Sequence, residues 1–332
     1  MKDKIKNIVK ENLRFIITVV IIIAVFTIEL PFKVYTPGGM IDLNRRVSVD
    51  NAFESKGSFG MAYVSVIKGT VPYLALSYLI PNWDIVSDDQ IKNPNETMAE
   101  KEKIDKLNTE ESIGNAIISA HNLAKKKVEL KSTHSYISYI DELSDTNAEL
   151  LDEVLEINGH EAKGLESLKK IVETLKEGDE VKLKVKREEK IIECYAKVFM
   201  VDNTPKIGMS VVETYDYETE SNAHITMKST ESGPSGGLMM SLAVYNSLVP
   251  DDITKGFNII GTGTIDKDGN VGAIGGVKYK LLGAVKKKAY AFLVPKDNYE
   301  EAMKVKEENN LDIIIISVKS LEDAINQLSV LD

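Results

Sequence analysis

At 332 residues the chain exceeds one ordinary domain and has room for two or three, each with its own core. Its formal net charge of -10 excludes sequence-independent nucleic-acid binding, which depends on basic surface to neutralise phosphates. The single cysteine, Cys194, excludes an intramolecular disulfide and reads as an ordinary strand residue.

Phe15 to Phe32 is almost wholly apolar, with Glu29 its only charge. About eighteen residues rising ~1.5 Å each roughly cross a hydrocarbon core, so the stretch predicts a transmembrane helix over 15–32. Lys2, Lys4, Lys6, Lys10 and Arg14 precede it, against Asp3 and Glu11. The positive-inside rule then places residues 1–14 in the cytoplasm and everything after about residue 33 outside. A cleaved signal peptide fits the same basic start, but Ile28 to Tyr35 lacks the small residues that cleavage requires.

Residues 33–127 predict a membrane-proximal α/β region. Ala62 to Ile67 alternates like a strand, and Ile113, Ala116, Ile117, Ala120 and Leu123 line one face of a helix over 110–127. Residues 128–200 change character. Thr133 to Ile140 is strand-like, Leu151 to Gly159 reads as a strand ending in an Asn-Gly turn, Leu165 to Leu175 as an amphipathic helix, and Val181 to Arg187 as a strand entered through Gly178-Asp179-Glu180. This order resembles the C-terminal two-thirds of a PDZ domain, which implies capture of an extended peptide as an added strand. Thr133 to Ile140 contains no glycine and so lacks the carboxylate loop of such domains, which leaves a spacer role open beside peptide capture.

From about Lys206 a third unit begins. Strands are expected at 207–213, 224–228, 257–261, 291–295 and 311–316, with helices near 236–248, 277–289, 299–308 and 320–328. The fold class expected overall is α+β: an N-terminal transmembrane helix, a β-rich module and a compact α+β domain over 205–332.

The third unit carries the chemistry. Gly233-Pro234-Ser235-Gly236-Gly237 puts a serine on a tight turn before a helix, and Lys278 follows 43 positions later in Ile274-Gly275-Gly276-Val277-Lys278. A serine attacks a carbonyl only as a neighbouring base takes its proton, and a lysine serves as that base only when neutral. Ile274, Val277, Leu281 and Leu282 supply an apolar setting, and the N-terminus of a helix disfavours an ammonium. Lys280, Lys286, Lys287 and Lys288 read as solvated. Pro234 has no N–H, so oxyanion donors are expected from the backbone of Ser235 and Gly233.

These motifs closely resemble the proteolytic domain of the Lon family. Gly233-Pro234-Ser235 is similar to its nucleophile turn, Thr262-Gly263 to its Thr-Gly before a hairpin, Ile274 to Lys278 to its lysine motif, and Leu293 to Asn298 to its closing strand and turn. The resemblance implies Ser235 as nucleophile, Lys278 as general base and Thr262 as a hydrogen-bond partner of the lysine amine. Asp266 to Asn270 forms the hairpin turn that returns the chain to the site. Gly236-Gly237 departs from the usual Ala-Gly at a cost expected only in helix propensity, and Glu231-Ser232 departs from Lys-Asp.

No G-x-x-x-x-G-K-[ST] phosphate loop occurs, so no nucleotide and no other cofactor is expected. His121, His134, His160 and His224 are scattered without metal-ligand spacing, and His224 reads as a strand residue beside the cleft. The combination resembles the ATP-independent, membrane-tethered PDZ and Lon-like proteases of Gram-positive bacteria. It implies a serine endopeptidase making limited cuts in extracytoplasmic peptides or unstructured protein segments. The other reading is a catalytically inactive extracellular PDZ scaffold. Lon-like domains often form rings, which leaves a homo-oligomer open.

Overall fold

The computed structural model describes residues 10–93 and 96–331. Of the basic residues read as a cytoplasmic flank, Lys2, Lys4 and Lys6 lie outside that range. Helix α1 (Leu13–Thr27) has 15 residues, none of them buried. It is shorter than the 15–32 span expected, and among the described residues no helix is long and apolar enough to cross a membrane. The reason is local. Pro31 disfavours helical geometry at Leu30, and Leu30 N–H donates to the Gly69 carbonyl at 3.0 Å, which draws 28–32 into the start of a sheet.

Next come β1 (Phe32–Asp42), β2 (Val47–Val49), β3 (Ser58–Lys68), α2 (Val71–Ser77), β4 (Asp84–Ser87), α3 (Asp88–Ile91) and α4 (Met98–Leu123). Helix α4 starts well before the predicted 110 because Thr97 and Glu100 close a capping box: Glu100 N–H donates to Thr97 Oγ1 at 3.2 Å, and Thr97 N–H to Glu100 Oε2 at 2.8 Å.

An inserted module follows: β5 (Val128–Ile140), β6 (Glu153–Ile157), β7 (His160–Glu161), α5 (Leu165–Val172), β8 (Glu180–Arg187), β9 (Lys190–Lys197), β10 (Phe199–Val201), β11 (Thr204–Lys206) and β12 (Met209–Thr219). The chain ends with β13 (Ala223–Ile225), α6 (Gly237–Leu248), β14 (Asn258–Gly261), β15 (Thr264–Ile265), β16 (Val271–Gly272), α7 (Val277–Lys286), β17 (Ala291–Pro295), α8 (Tyr299–Glu308), β18 (Ile314–Val318) and α9 (Leu321–Ser329).

The principal sheet runs β18-β17-β14-β3-β1-β4. Strand β14 pairs in parallel with β17 on one side and β3 on the other, Ile260 standing opposite both Phe292 and Gly60. Regions 33–127 and 205–332, expected as separate units, therefore share one sheet and form one domain. Both faces are covered, which explains the continuous apolar runs of β14 and β17. Ile259, Leu293 and Ile316 pack toward Ala116 of α4, Leu242 of α6 and Leu328 of α9. Ile260, Phe292 and Val294 pack toward Leu281 of α7 and Ala302 of α8.

The module has its own sheet, β12-β5-β6-β8-β9 with β7 on β6, and a core in which Leu168 and Val172 of α5 cover Val154, Ile157, Leu183 and Val185. Strand β12 pairs with β5 from Met209 opposite Ile140 to Thr219 opposite Val128. The module thus extends to 219, beyond the expected end at 200, and interrupts the domain of the principal sheet between α4 and β13. Asn158 and Gly159 both have positive φ, +49° and +78°, as the predicted turn requires, and Cys194 is buried in β9.

Candidate active site

Ser235 sits half-buried on a single 3₁₀ turn, Pro234–Gly236, leading into α6. Its carbonyl accepts from Thr262 Oγ1 at 2.9 Å and from Gly263 N–H at 2.8 Å, and Leu238 N–H returns to the Gly263 carbonyl at 3.1 Å. Helix α4 braces the other side. Gly233 N–H donates to Thr109 Oγ1 at 2.8 Å, and Ser112 Oγ donates to the Pro234 carbonyl at 3.1 Å. Gly233 has φ +106° and ψ +160°, a region open essentially to glycine.

Two expected roles change here. Thr262 is fully buried and braces the serine's own backbone, so its hydroxyl is not directed at the lysine. The Gly233 N–H, expected as an oxyanion donor, is already taken by Thr109. The glycine pair after the serine also matters more than helix propensity. A Cβ on Gly236 would overlap Met61 Sδ of β3, and one on Gly237 would lie 2.8 Å from Ile265 Cγ2.

Lys278 occupies the first turn of α7, behind Gly276 in left-handed geometry (φ +73°). In place of the apolar setting expected, Lys278 Nζ donates to Asp84 Oδ2 at 2.7 Å, and Tyr279 OH donates to the same oxygen at 2.8 Å. The lysine side chain is 34% exposed, and among the described residues no hydrogen bond joins it to Ser235. Burial works to raise the Asp84 carboxyl, but the hydrogen bonds from Lys278 and Tyr279 and the lysine charge hold it below the usual range. Tyr279 is further fixed by an edge-to-face contact with Tyr35, centroids 5.9 Å apart.

Both turns meet one strand. Gly236 approaches Met61, and Gly276 approaches Val64. Three strand residues span roughly 10 Å. The β14 partner of β3 ends at Gly261 opposite Met61, so among the described residues the rest of β3 pairs only with β1. An open strand edge therefore runs between the serine and lysine turns.

Lys280, read as solvated, is 5% exposed. Desolvation pushes its ammonium down to about 8, against the opposing charge of Glu301 on α8. Two residues from Lys278 on one helix, it points about 200° away from it.

Next to Pro234 lies a cavity of about 440 Å³ whose lining includes Asn108, Glu111, Asn115, Asp266 and Gly272. Burial, reinforced by the charge of Glu213, raises the Glu111 carboxyl to about 7, although Glu213 N–H donates to Glu111 Oε1 at 3.0 Å. Glu213 belongs to β12 and accepts from Leu165 N–H at the start of α5 and from Tyr215 OH. One turn of α4, 109–112, thus touches both the serine turn and the inserted module.

The predicted hairpin turn is present, with Asp266 Oδ1 accepting from Asp268 and Asn270 N–H. His224 is exposed on β13, and among the described residues no His, Cys, Asp and Glu cluster could hold a metal ion.

Sequence reasoning passed over Asp84, Thr109 and Ser112. The Thr97-x-x-Glu100 capping signature could have extended the helix expected over 110–127 back to Thr109, whereas nothing local marks Asp84.

Residues 203–330 match the Lon protease (S16) C-terminal proteolytic domain. The chain carries a Lon protease proteolytic domain. A domain of this type supports serine peptidase activity. Similar proteins include the peroxisomal Lon protease homolog 2 of Caenorhabditis elegans, 29% identical over 133 residues, which are 40% of this chain and 17% of that protein. The Lon protease of Campylobacter jejuni is 35% identical over 96 residues, 29% of this chain and 12% of its own length. The chain therefore spans about a sixth or less of the length of these relatives. The Lon match begins inside the inserted module and leaves out residues 32–127, which supply β1, β3, β4 and α4. Solved structures similar to this chain include the PDZ domain of an SdrC-like protein of Listeria monocytogenes, with 23% identity, TM-score 0.23, 25% of this chain and 93% of that one covered. The corresponding Listeria innocua domain gives 27% identity, TM-score 0.21, and coverage of 24% and 92%.

Proposed function

We propose that the protein is a membrane-associated, ATP-independent serine endopeptidase in which Ser235 is the nucleophile and Lys278 the general base. The observation that carries this reading is the convergence of the Ser235 and Lys278 turns on the open edge of β3. An extended substrate segment pairs with that edge, which brings its carbonyl against Ser235. Lys278, released from Asp84 and neutral, takes the Ser235 proton as Oγ attacks the carbonyl carbon. The oxyanion is held by the Ser235 N–H, and the lysine then protonates the leaving amine. Water attacks the acyl-enzyme with Lys278 again as base, releasing the second product and restoring the serine.

Limited cutting of peptides or unstructured segments outside the membrane is the substrate reading. It is supported by the absence of a phosphate loop in the sequence and by the outward-facing apolar side chains of α1. The module's groove, about 840 Å³ and lined by Ile137, Leu165, Leu168, Val172 and Met209, suits an apolar peptide segment.

The test is cleavage of an unstructured peptide by the purified full chain without ATP, with Ser235→Ala and Lys278→Ala each abolishing it. Full activity in either variant refutes the dyad. Labelling by a serine-directed fluorophosphonate in wild type but not in Ser235→Ala excludes an inactive scaffold.

A further inference from the structure

We propose that residues 71–83 form a second membrane contact, an interfacial wedge lying beside α1 and leading directly into Asp84. The inference rests on the membrane-associated reading of α1 and adds a separate surface to it.

The fifteen positions from Gly69 to Trp83 contain no Asp, Glu, Lys or Arg, in a chain that is 28% charged. They include Val71, Pro72, Tyr73, Leu74, Leu76, Tyr78, Leu79, Ile80 and Trp83. A buried segment would explain such a composition, but this one is exposed: Tyr78 is 83% and Leu79 79% accessible, and Val71, Tyr73 and Leu76 are exposed as well. Helix α2 buries none of its residues. A contiguous uncharged apolar surface of this kind marks a place where something else covers it.

Its position identifies the occupant. Helix α2 packs against α1, where Phe26 and the following residue Ile28 are also exposed, so the two apolar surfaces are continuous. The connection is rigid: Leu30 N–H donates to the Gly69 carbonyl and Gly69 N–H to the Phe32 carbonyl, both at 3.0 Å, while Lys68 pairs with Glu29. A bilayer that accepts α1 meets α2 and the 78–83 loop at the level of α1's C-terminal end. Tyr73, Tyr78 and Trp83 are the residue types that favour the boundary between acyl chains and headgroups, with apolar rings and polar tips. The absence of basic side chains in the segment points to the apolar boundary layer itself rather than to anionic headgroups.

Trp83 is the sole tryptophan, so its emission reports this surface alone. The full chain is reconstituted with phosphatidylcholine vesicles, either plain or brominated near the headgroup end of the acyl chains, and vesicle flotation is scored in parallel. The expected result is flotation together with Trp83 quenching by the bromolipid, and a loss of roughly half or more of that quenching in a Tyr78→Ser, Leu79→Ser variant that still floats through α1. Both substitutions are at exposed positions, and an unchanged circular dichroism spectrum verifies the fold. Flotation with Trp83 unquenched overturns the wedge and leaves the α1 reading intact. Trp83 that is unquenched by bromolipid yet shielded from aqueous acrylamide assigns the patch to a second copy of the chain and likewise overturns it. Quenching that survives the double substitution removes the role of Tyr78 and Leu79. Failure to float at all overturns both readings.

Discussion

Lys278 and Asp84 stand 194 positions apart in the chain and 2.7 Å apart in space. The carboxylate that binds the lysine comes from β4, an edge strand contributed by the N-terminal third of the protein. Tyr279 OH shares the same oxygen, so the pair is held by three side chains from two elements. In this arrangement the ammonium has an acceptor, and a base must give up that acceptor before it can serve Ser235. On the proposed mechanism this contact therefore competes with catalysis.

Removing the negative charge that holds the lysine should therefore raise activity. Asp84→Asn keeps the shape of the side chain while removing its charge. Both partners are one-third to one-half exposed, and a pair of that kind is worth up to about 1 kcal/mol, which corresponds to a gain of up to about fivefold. The measurement is kcat/KM on an unstructured peptide near neutral pH. A fall below wild type would instead make Asp84 a partner that positions the lysine for the reaction.

Thr109 and Ser112 should prove to be positioning residues. Thr109→Val leaves the Gly233 N–H without its acceptor, and Ser112→Ala leaves the Pro234 carbonyl without its donor. A net hydrogen bond of about 0.5 to 1.5 kcal/mol translates to a loss of roughly 2- to 12-fold in kcat for each. KM should hold, because neither side chain lines the edge of β3, and Thr109→Ser should restore most of the rate. Equal losses in KM, or no rescue by serine, would point to a general packing defect.

The sequence was most readable where chemistry and turn geometry coincide. Gly233, Ser235, Gly276 and Lys278 announce themselves because strained backbone and a nucleophile fall together. The strands β14, β17 and β18 and the helices α6 to α9 follow from apolar runs and period. The domain boundaries were not legible, because pairing of β14 with β3 joins residues about 200 positions apart and leaves no local mark. Lys280 was misread for a related reason: its burial comes from elements packed on α7, which a helical wheel of α7 alone does not include. Asp84 likewise follows a run of apolar residues that gives no hint of the lysine it meets. The 15–32 span was overestimated because hydropathy ignores the sheet contact at Gly69 that claims Leu30.

Glu111 should give the protein a measurable pH dependence of stability. Its ordinary value is 4.5, and in the folded chain it stands near 7, chiefly through desolvation and secondarily through Glu213, with Lys267 opposing. Between these two values the folded state retains a proton that the unfolded chain has released. The free energy of unfolding therefore falls as pH rises across that window, by at most ~1.4 kcal/mol per unit, and levels off above pH 7. Glu111→Gln keeps an oxygen to accept the Glu213 N–H but carries no titrating proton. Denaturant melts at pH 5 and pH 8 should show the wild type losing on the order of 2 kcal/mol more than the variant, with the variant the more stable of the two at pH 8. Parallel pH curves for the two proteins would mean that the carboxyl is ionised and solvated in the folded state. Because Glu111 lies on the turn of α4 that also carries Thr109 and Ser112, its ionisation above pH 7 would set a second negative charge against Glu213 of β12 beside the serine turn. Activity per folded molecule in the variant should then vary less with pH between 6 and 8 than in the wild type.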